Sequence, residues 1–182
     1  MSATDEVLAQ LSPALRKSVN LGSDVEYFRQ PLPSPTLTRA LNGGLPYGRQ
    51  SLIWGAKSAA KSSLCLQIVA MAQAEGKTAA WIDAEQSFDY NWAESLGVKT
   101  NELIYSEAKT TNDMANAGTS LMDAGIDVLV VDSISALLPA IYFEKDSTEL
   151  KNLENTKQIG ADSKDMGGAV KMLNFANKKT LL

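Results

Sequence analysis

The chain has 182 residues, of which 45% are apolar and 21% charged, and its formal net charge is −4. This composition is typical of one soluble domain with a substantial core, and the net charge neither favours nor excludes nucleic acid as a partner. Histidine is absent and Cys65 is the single cysteine, which excludes Ser–His and Cys–His catalysis, intrachain disulfides and histidine-ligated metals. No basic-then-apolar leader or membrane-length apolar run is found, so we expect a cytoplasmic protein without membrane contact.

The first 35 residues predict a small helix followed by a linker. Apolar residues recur at helical spacing from Asp5 to Val19, and Pro13 bends or interrupts this helix. The stretch Asn20–Pro35 contains three prolines, which predict a stiff and irregular connector. A linker-tethered helix either packs on its own core or binds a neighbouring subunit. We therefore assign residues 1–35 as an oligomerisation candidate and residues 36–182 as the core.

From Gln50 onward a strand, a loop, a helix and a closing glycine alternate. This order predicts an α/β fold with a mostly parallel sheet and helices on both faces. Three of the four strands lack polar alternation, which indicates burial on both sheet faces. The predicted strands are Ser51–Trp54, Thr78–Ile82, Glu102–Tyr105 and Asp127–Val131, and the closing glycines are Gly76, Gly97 and Gly125. Ligands of such sheets bind beyond the carboxyl ends of the strands, where Gly55, Asp83 and Asp132 fall.

The segment Gly55–Ser63 joins the first predicted strand to an apolar helix and consists mainly of small residues. Backbone N–H groups of such a loop, together with the amino end of the helix, form a cradle for phosphates. In this pattern Lys61 contacts the outer phosphates and Ser62 presents its hydroxyl to magnesium. Ala60 stands where glycine is usual and its methyl group disfavours positive φ, so a plain strand–helix turn is the alternative. The predicted nucleotide-binding residues of the loop are Gly55, Ala56, Lys57, Ser58, Ala59, Ala60, Lys61, Ser62 and Ser63.

Two carboxylates follow other strands at the same predicted edge. Asp132 ends an apolar run and is expected to hold the magnesium shell, although an ordinary turn after a strand has the same pattern. The phosphate loop upstream in the same sheet favours the functional interpretation of Asp132. Glu85 follows the strand that leads to Asp83 and could polarise an attacking water, or it could only add charge to the first turn of a helix.

Several collinear segments resemble the RecA recombinases, a family of P-loop nucleotide triphosphatases. They are Gly43–Arg49, Ala74–Thr78, Trp81–Glu85 and Asp127–Leu137, within a resemblance that runs from about Thr36 to the end. The short amino-terminal segment and the altered phosphate loop are more similar to phage-encoded members than to the bacterial housekeeping protein. The resemblance implies a DNA-dependent ATPase that uses ATP and Mg²⁺, forms helical filaments on single-stranded DNA, and acts in homologous recombination and DNA repair.

The resemblance also implies roles for individual residues near the predicted edge. The matched residues are Lys61 for the phosphates, Ser62 and Asp132 for the metal, Glu85 as the water-activating catalytic residue, and Asp89 and Trp92 beside adenine. Lys61 is the second catalytic candidate. Trp92 would stack on the base, although composition alone favours plain packing on a helix face.

The carboxyl-terminal quarter carries a candidate DNA-binding loop and an unfinished strand. Residues 158–167 resemble the first DNA-binding loop of the family, and Gly160, Ser163 and Met166 are the residues carried over, although the acidic neighbours also fit a solvated connector. Lys179–Leu182 looks like the start of a further buried strand, which the family continues into the rest of its core. We therefore expect a core that is incomplete at its carboxyl-terminal end, either as a fragment or with a separate chain supplying the missing half.

Two other functions are compatible with the same residues. The same core occurs in ring-forming helicases and clock-type ATPases, although the Gly43–Arg49 lead-in and the segment after Leu137 favour a recombinase. An incomplete core could also act without catalysis, as a nucleotide-binding or assembly module that engages a partner through its amino-terminal helix.

Overall fold

The computed structural model describes residues 2–19 and 28–137. Its first part holds two short helices, α1 (Ala3–Ala9) and α2 (Pro13–Arg16), so the helix predicted from Asp5 to Val19 is interrupted just before Pro13, one of the two effects predicted for that proline. Ser12 caps α2 with its side chain and Pro13 occupies the first turn, where the missing N–H of proline has no helical partner to lose. Neither helix buries a residue. The division of the chain at residue 35 stays a prediction.

A small two-stranded ribbon takes its first strand from the segment predicted to be an irregular connector, so that prediction is wrong at residues 29–30, while residues 31–34 are irregular as predicted. Strand β1 (Arg29–Gln30) pairs antiparallel with β2 (Leu45–Pro46), and helix α3 (Pro35–Ala40) lies between them in the chain. Gly44 has φ +120°, and a Cβ there would lie 1.9 Å from the Gln30 carbonyl oxygen, so only glycine fits this approach. The side chain of Gln30 is fully buried in the ribbon.

The rest of the described chain alternates helices with parallel strands. Its elements are α4 (Lys61–Ala74), β3 (Ala79–Asp83), α5 (Tyr90–Ser95), β4 (Leu103–Glu107), α6 (Thr111–Asp123) and β5 (Val128–Asp132). The strands form one sheet in the order β4-β3-β5. Both neighbours run parallel to the central strand, and the closing glycines all have positive φ, as predicted.

Helices cover both faces of this sheet, which confirms the predicted α/β architecture. Every residue of β3 is buried, and its side chains alternate between two apolar clusters. Ala79 and Trp81 pack in the cluster that α4 covers, whereas Ala80 and Ile82 pack in the cluster that α6 covers. Burial on both faces explains why the sequence of this strand shows no polar alternation.

The strand predicted at Ser51–Trp54 is wrong, because residues 50–55 pair with no other strand among the described residues. Its side chains still alternate: Ser51 and Ile53 are half-buried, while Leu52 and Trp54 are 81% and 85% exposed. Strand β5 pairs with β3 on one edge, and within the described ranges no strand pairs with its other edge. A cavity lies between that edge and residues 50–55. Paired strands lie only about 4.8 Å apart, so residues 50–55 do not form a ladder with β5.

Candidate functional site

The carboxyl ends of β3 and β5 bring two aspartates to one edge of the sheet. Asp83 and Asp132 are register partners, each the last residue of its strand. The Ala84 N–H donates to the Asp132 carbonyl at 2.8 Å, so the chain leaving β3 stays attached to the end of β5. Loops that follow these strands therefore lie side by side, as the sequence predicts.

The phosphate loop reaches the amino end of α4 through left-handed backbone. Ser58 and Ala60 have φ of 61° and 60°, a region in which a Cβ costs about 1–2 kcal/mol. Ala60 occupies the cap position of α4, and no side chain bonds the free N–H groups of its first turn. Those groups are left available to an anion.

Lys61 closes the phosphate loop on itself. Its Nζ donates to the carbonyl oxygens of Gly55 at 3.2 Å and Ala56 at 2.9 Å. These are neutral acceptors at the start of the loop, so the ammonium group stays beside the cradle with its charge uncompensated by any ion pair among the residues described. A phosphate entering the cradle would offer it a stronger, charged acceptor.

Ser62 and Asp132 meet across 70 residues of sequence. The Ser62 hydroxyl donates to Asp132 Oδ2 at 2.6 Å, and the described part of the chain gives Asp132 no ion pair. A hydroxyl and a carboxylate are the hard oxygen ligands that Mg²⁺ prefers, and Mg²⁺ usually takes only one or two protein ligands beside phosphates and water. The described residues contain no cluster of three or more His, Cys, Asp and Glu side chains. The pair therefore fits a magnesium ion shared with a phosphate ligand.

Glu85 lies on the first residues after β3 with its side chain exposed. Its Oε1 accepts a hydrogen bond of 2.7 Å from the Ser133 hydroxyl, which also lies 2.8 Å from the Ser135 hydroxyl. The loop after β5 thus holds the carboxylate of the loop after β3. A carboxylate with one oxygen fixed and the other available can accept a proton from water.

Asp83 is 1% exposed and organises the turn that carries Glu85. Its Oδ1 accepts from the Glu85 N–H at 3.1 Å, and its Oδ2 accepts from the N–H groups of Ser87 and Phe88, both at 2.9 Å. Tyr105 adds a fourth donor, its hydroxyl, at 3.1 Å from Oδ2. Burial of the ring and the adjacent Asp83 carboxylate raise the pKa of Tyr105, so the phenol stays protonated and donates.

Asp89 and Trp92 lie on α5, next to the phosphate loop. Asp89 caps the helix by accepting from the Trp92 N–H at 3.0 Å. Trp92 is half-exposed, and its Nε1 donates to the Ser63 hydroxyl at 3.2 Å. The indole thus lies beside the first turn of α4 with part of its surface open to a ligand.

One cavity of about 1340 Å³ joins most of these groups. Lys61, Glu85 and Asp132 all line it, so the structure brings together the three side chains on which the nucleotide-site prediction depends. Lys57 adds a second positive charge at the rim. Asp89 and Trp92 are not among its lining residues.

Cys65 lies on α4 beneath this cavity. Burial, together with the nearby Asp132 carboxylate, raises the pKa of its thiol to about 11. The thiol is therefore neutral near pH 7, so Cys65 acts as a small apolar residue rather than as a nucleophile.

Comparison with known proteins identifies the family. The family model for the RecA N-terminal domain matches residues 19–180. The chain belongs to the RecA family. It is 38% identical over 135 residues to Protein RecA of Bdellovibrio bacteriovorus, and the aligned part covers 74% of this chain and 34% of that protein. It is 37% identical over 132 residues to Protein RecA of Nitratidesulfovibrio vulgaris, covering 72% and 35%, and 35% identical over 161 residues to Protein RecA 2 of Myxococcus xanthus, covering 85% and 43%.

Two consequences follow from membership of the RecA family. The α/β architecture is that of a RecA-like core, as predicted. The matched part spans only 34–43% of the length of these relatives, so activities of the whole relatives come to this chain only as proposals. The candidate DNA-binding residues Gly160, Ser163 and Met166, and the strand expected at Lys179–Leu182, lie outside the described residues.

Sequence reasoning missed the supports of the site. Asp83 was treated only as a marker of the strand end, although a carboxylate that closes a fully apolar strand must find donors once it is buried. Ser133 shows no signal beyond that of a turn hydroxyl, and its bond to Glu85 depends on the meeting of two loops that lie 48 residues apart in the sequence. Tyr105 carried no signal, because a tyrosine in a strand is common packing.

Proposed function

We propose that this chain is the nucleotide-binding part of an ATP-dependent recombinase of the RecA type. The observation that carries the proposal is the meeting of Lys61, Ser62, Glu85 and Asp132 around one cavity, contributed by three separate segments of the chain. That set supplies a phosphate contact, two metal ligands and a base for water. Side chains so far apart in the sequence need not lie near one another in the fold. Because they converge on one edge of the sheet, they favour phosphoryl chemistry.

ATP would enter with its phosphates against the loop after Gly55. Backbone N–H groups at the start of α4 would bind the phosphate oxygens, and Lys61 would exchange its two carbonyl acceptors for the outer phosphates. Ser62 and Asp132 would hold Mg²⁺, which neutralises charge that develops on the phosphates during transfer. Trp92 and Asp89 would border the base, as the family resemblance implies.

Glu85 would accept the proton of the attacking water. Its carboxylate is held by Ser133 from one side and by the Asp83 turn from the backbone side, so its direction is set before a ligand arrives. Lys61 assists by stabilising charge on the transferred phosphoryl group. Hydrolysis would break the bond between the β- and γ-phosphates and give a bound diphosphate and inorganic phosphate, and the loop would then contact one phosphate fewer on the nucleotide.

Single-stranded DNA and further copies of the chain are the proposed partners. Family membership supports filament formation on DNA, action in recombination and repair, and a cytoplasmic location. Across residues 2–19 and 28–137, the structure contains no helix that is both long and apolar enough to span a membrane. The Gly160–Met166 region remains the candidate DNA contact.

ATP turnover with and without single-stranded DNA tests this function. Lys61→Ala should abolish nucleotide binding or hydrolysis, whereas Glu85→Gln should keep binding and lower kcat about 100-fold or more, as expected for loss of a catalytic base. The control is Glu94→Gln, a glutamate on α5 that bonds Thr100 and lines no part of the cavity. Unchanged DNA-stimulated turnover in both site variants would contradict the assignment.

A second candidate is a nucleotide-binding or assembly module without catalysis of its own. Within residues 2–19 and 28–137, one edge of β5 has no partner strand and residues 50–55 lie outside the sheet, and both observations favour this candidate because such segments pair in the complete core of the family. In this case a separate chain would supply the remaining part of the core. Absence of turnover together with stable binding to a full-length RecA relative would support this candidate.

Electron microscopy with ATP and single-stranded DNA separates the recombinase from a ring-forming ATPase. Filaments would favour the recombinase, and closed rings would favour the ring-forming ATPase.

A further inference from the structure

We infer that Tyr105 is a positioning residue for Glu85, acting through the carboxylate of Asp83. The inference rests on the proposed function, because Glu85 is the base of that reaction. Tyr105 is not among the residues that line the cavity, and its hydroxyl donates to Asp83 rather than to Glu85. Its effect would pass through one buried oxygen atom, Asp83 Oδ2, and from there to the backbone of the turn.

The turn after β3 contains a strained residue, so contacts from outside the turn are needed to stabilise its conformation. Gln86 has φ +53°, a left-handed conformation that a side chain disfavours by about 1–2 kcal/mol. Such conformations persist only where neighbouring contacts fix them. The three N–H groups that Asp83 accepts belong to Glu85, Ser87 and Phe88, so they bracket Gln86 on both sides.

The carboxylate of Asp83 depends in turn on its donors. It is 1% exposed, and among the described residues it has no ion pair, so hydrogen bonds are its only compensation for lost hydration. The described residues supply four donors to this carboxylate, and Tyr105 is the one among them that donates from a side chain. Loss of this donor would leave Oδ2 with the N–H groups of Ser87 and Phe88, and would remove the one hydrogen bond that ties the carboxylate to a neighbouring strand rather than to the turn itself.

The ring of Tyr105 is itself fixed by aromatic neighbours. Its centroid lies 5.3 Å from that of Phe88 and 5.9 Å from that of Tyr90. Phe88 is also one of the turn residues whose N–H Asp83 accepts. The hydroxyl therefore approaches the carboxylate from a packed position, so it can hold the orientation of Asp83 rather than follow it.

A double-mutant cycle separates positioning from plain stability. Tyr105→Phe removes one oxygen and keeps the ring, and we expect kcat for ATP hydrolysis to fall about tenfold with KM within about twofold, since a small misplacement of a reacting group acts on the chemical step. In a Glu85→Gln background the same change should have no further effect on kcat, because its route to the reaction has been removed. An equal loss in both backgrounds would overturn the inference.

Amide hydrogen exchange, followed by NMR, tests the same claim without relying on turnover. In Tyr105→Phe the amides of Glu85, Ser87 and Phe88 should exchange about tenfold faster, while those in the middle of α4 keep their rates. Tyr90→Phe is the matched control, since that hydroxyl has no hydrogen bond to any described residue while its ring joins the same aromatic cluster. Unchanged exchange at the three amides would overturn the inference, whereas absence of turnover in the unmodified chain would count against the proposed function alone.

Discussion

The phosphate loop and the Asp83 turn serve the same cavity, but different interactions hold them. Residues 55–60 are all exposed. Within the described residues, the loop is held by two backbone hydrogen bonds, Ala59 N–H to the Ala56 carbonyl at 3.3 Å and Leu64 N–H to the Ala60 carbonyl at 3.0 Å, and by Lys61. The Asp83 turn is instead fixed by a buried carboxylate with four donors. Both contain non-glycine residues in left-handed backbone, so both carry strain.

The difference separates a ligand-binding loop from an orienting turn. A loop that must bind phosphates keeps its own N–H groups uncommitted, and the energy that completes it comes from the ligand. A turn that must direct a carboxylate is completed by the protein before the ligand arrives. Mutations in the turn should therefore act mainly on stability and rate, and mutations in the loop mainly on ligand affinity.

The largest effect on stability should come from Asp83→Ala. The change leaves three backbone N–H groups and one phenol without their acceptor in a buried site, and we expect a loss of about 3 kcal/mol in the free energy of unfolding. Urea unfolding followed by circular dichroism measures it. Asp89→Ala is the matched control, because that aspartate is an exposed helix cap worth about 1 kcal/mol. Equal losses of unfolding free energy in the two variants would mean that the buried carboxylate stabilises the fold no more than an exposed helix cap does.

Ser62→Ala should act on ligand affinity and little on stability. Without the hydroxyl, magnesium loses one oxygen ligand beside Asp132, and affinity for ATP in the presence of Mg²⁺ should fall about tenfold. Affinity measured in excess chelator should change less than twofold, because the hydroxyl then has no metal to bind. Isothermal titration calorimetry gives both values, with the exposed Ser120→Ala on α6 as the control. A loss of the same size with and without Mg²⁺ would argue against a metal ligand.

Ala60→Gly should give the smallest change, and in the stabilising direction. Glycine accepts φ of 60° without the Cβ penalty, and we expect a net gain of about 0.5–1 kcal/mol after the extra freedom of the unfolded chain is subtracted. Ala59→Gly, at a neighbouring position outside the left-handed region, should instead destabilise by a similar amount. Thermal unfolding of the two variants side by side decides the sign, and a loss at position 60 would show that its backbone is relaxed.

The fold could be predicted where the pattern was local and repeated. Each of the three strands of the parallel sheet begins within one residue of its predicted start, because apolar runs and closing glycines determine these limits. The strand at Ser51–Trp54 was not found, although its side chains alternate in and out. An extended apolar segment becomes a strand only when a partner offers hydrogen bonds, and pairing is not encoded in the segment itself.

The site could be predicted in its residue types and only partly in its supports. Ala60 was recognised as a strained substitute for glycine, and its backbone is left-handed. The bond between Ser133 and Glu85 and that between Tyr105 and Asp83 join residues 48 and 22 positions apart. Contacts of this kind depend on which loops the sheet brings together, so no sequence window contains them. Assignments of function to these residues remain predictions for the experiments above.

The three tryptophans of this chain differ in how much of the side chain is exposed to solvent. Trp81 is 2% exposed within the core, Trp92 is 50% exposed beside the first turn of α4, and Trp54 is 85% exposed at the entrance of the phosphate loop. The tryptophan fluorescence should therefore have two components. The component from buried Trp81 emits at shorter wavelength and resists quenching by acrylamide, and the component from Trp54 and Trp92 emits at longer wavelength and is quenched. A bound nucleotide that covers Trp92 or Trp54 would shield the quenchable component and leave the emission of Trp81 unaltered, which provides an optical signal for occupancy of the site without a label.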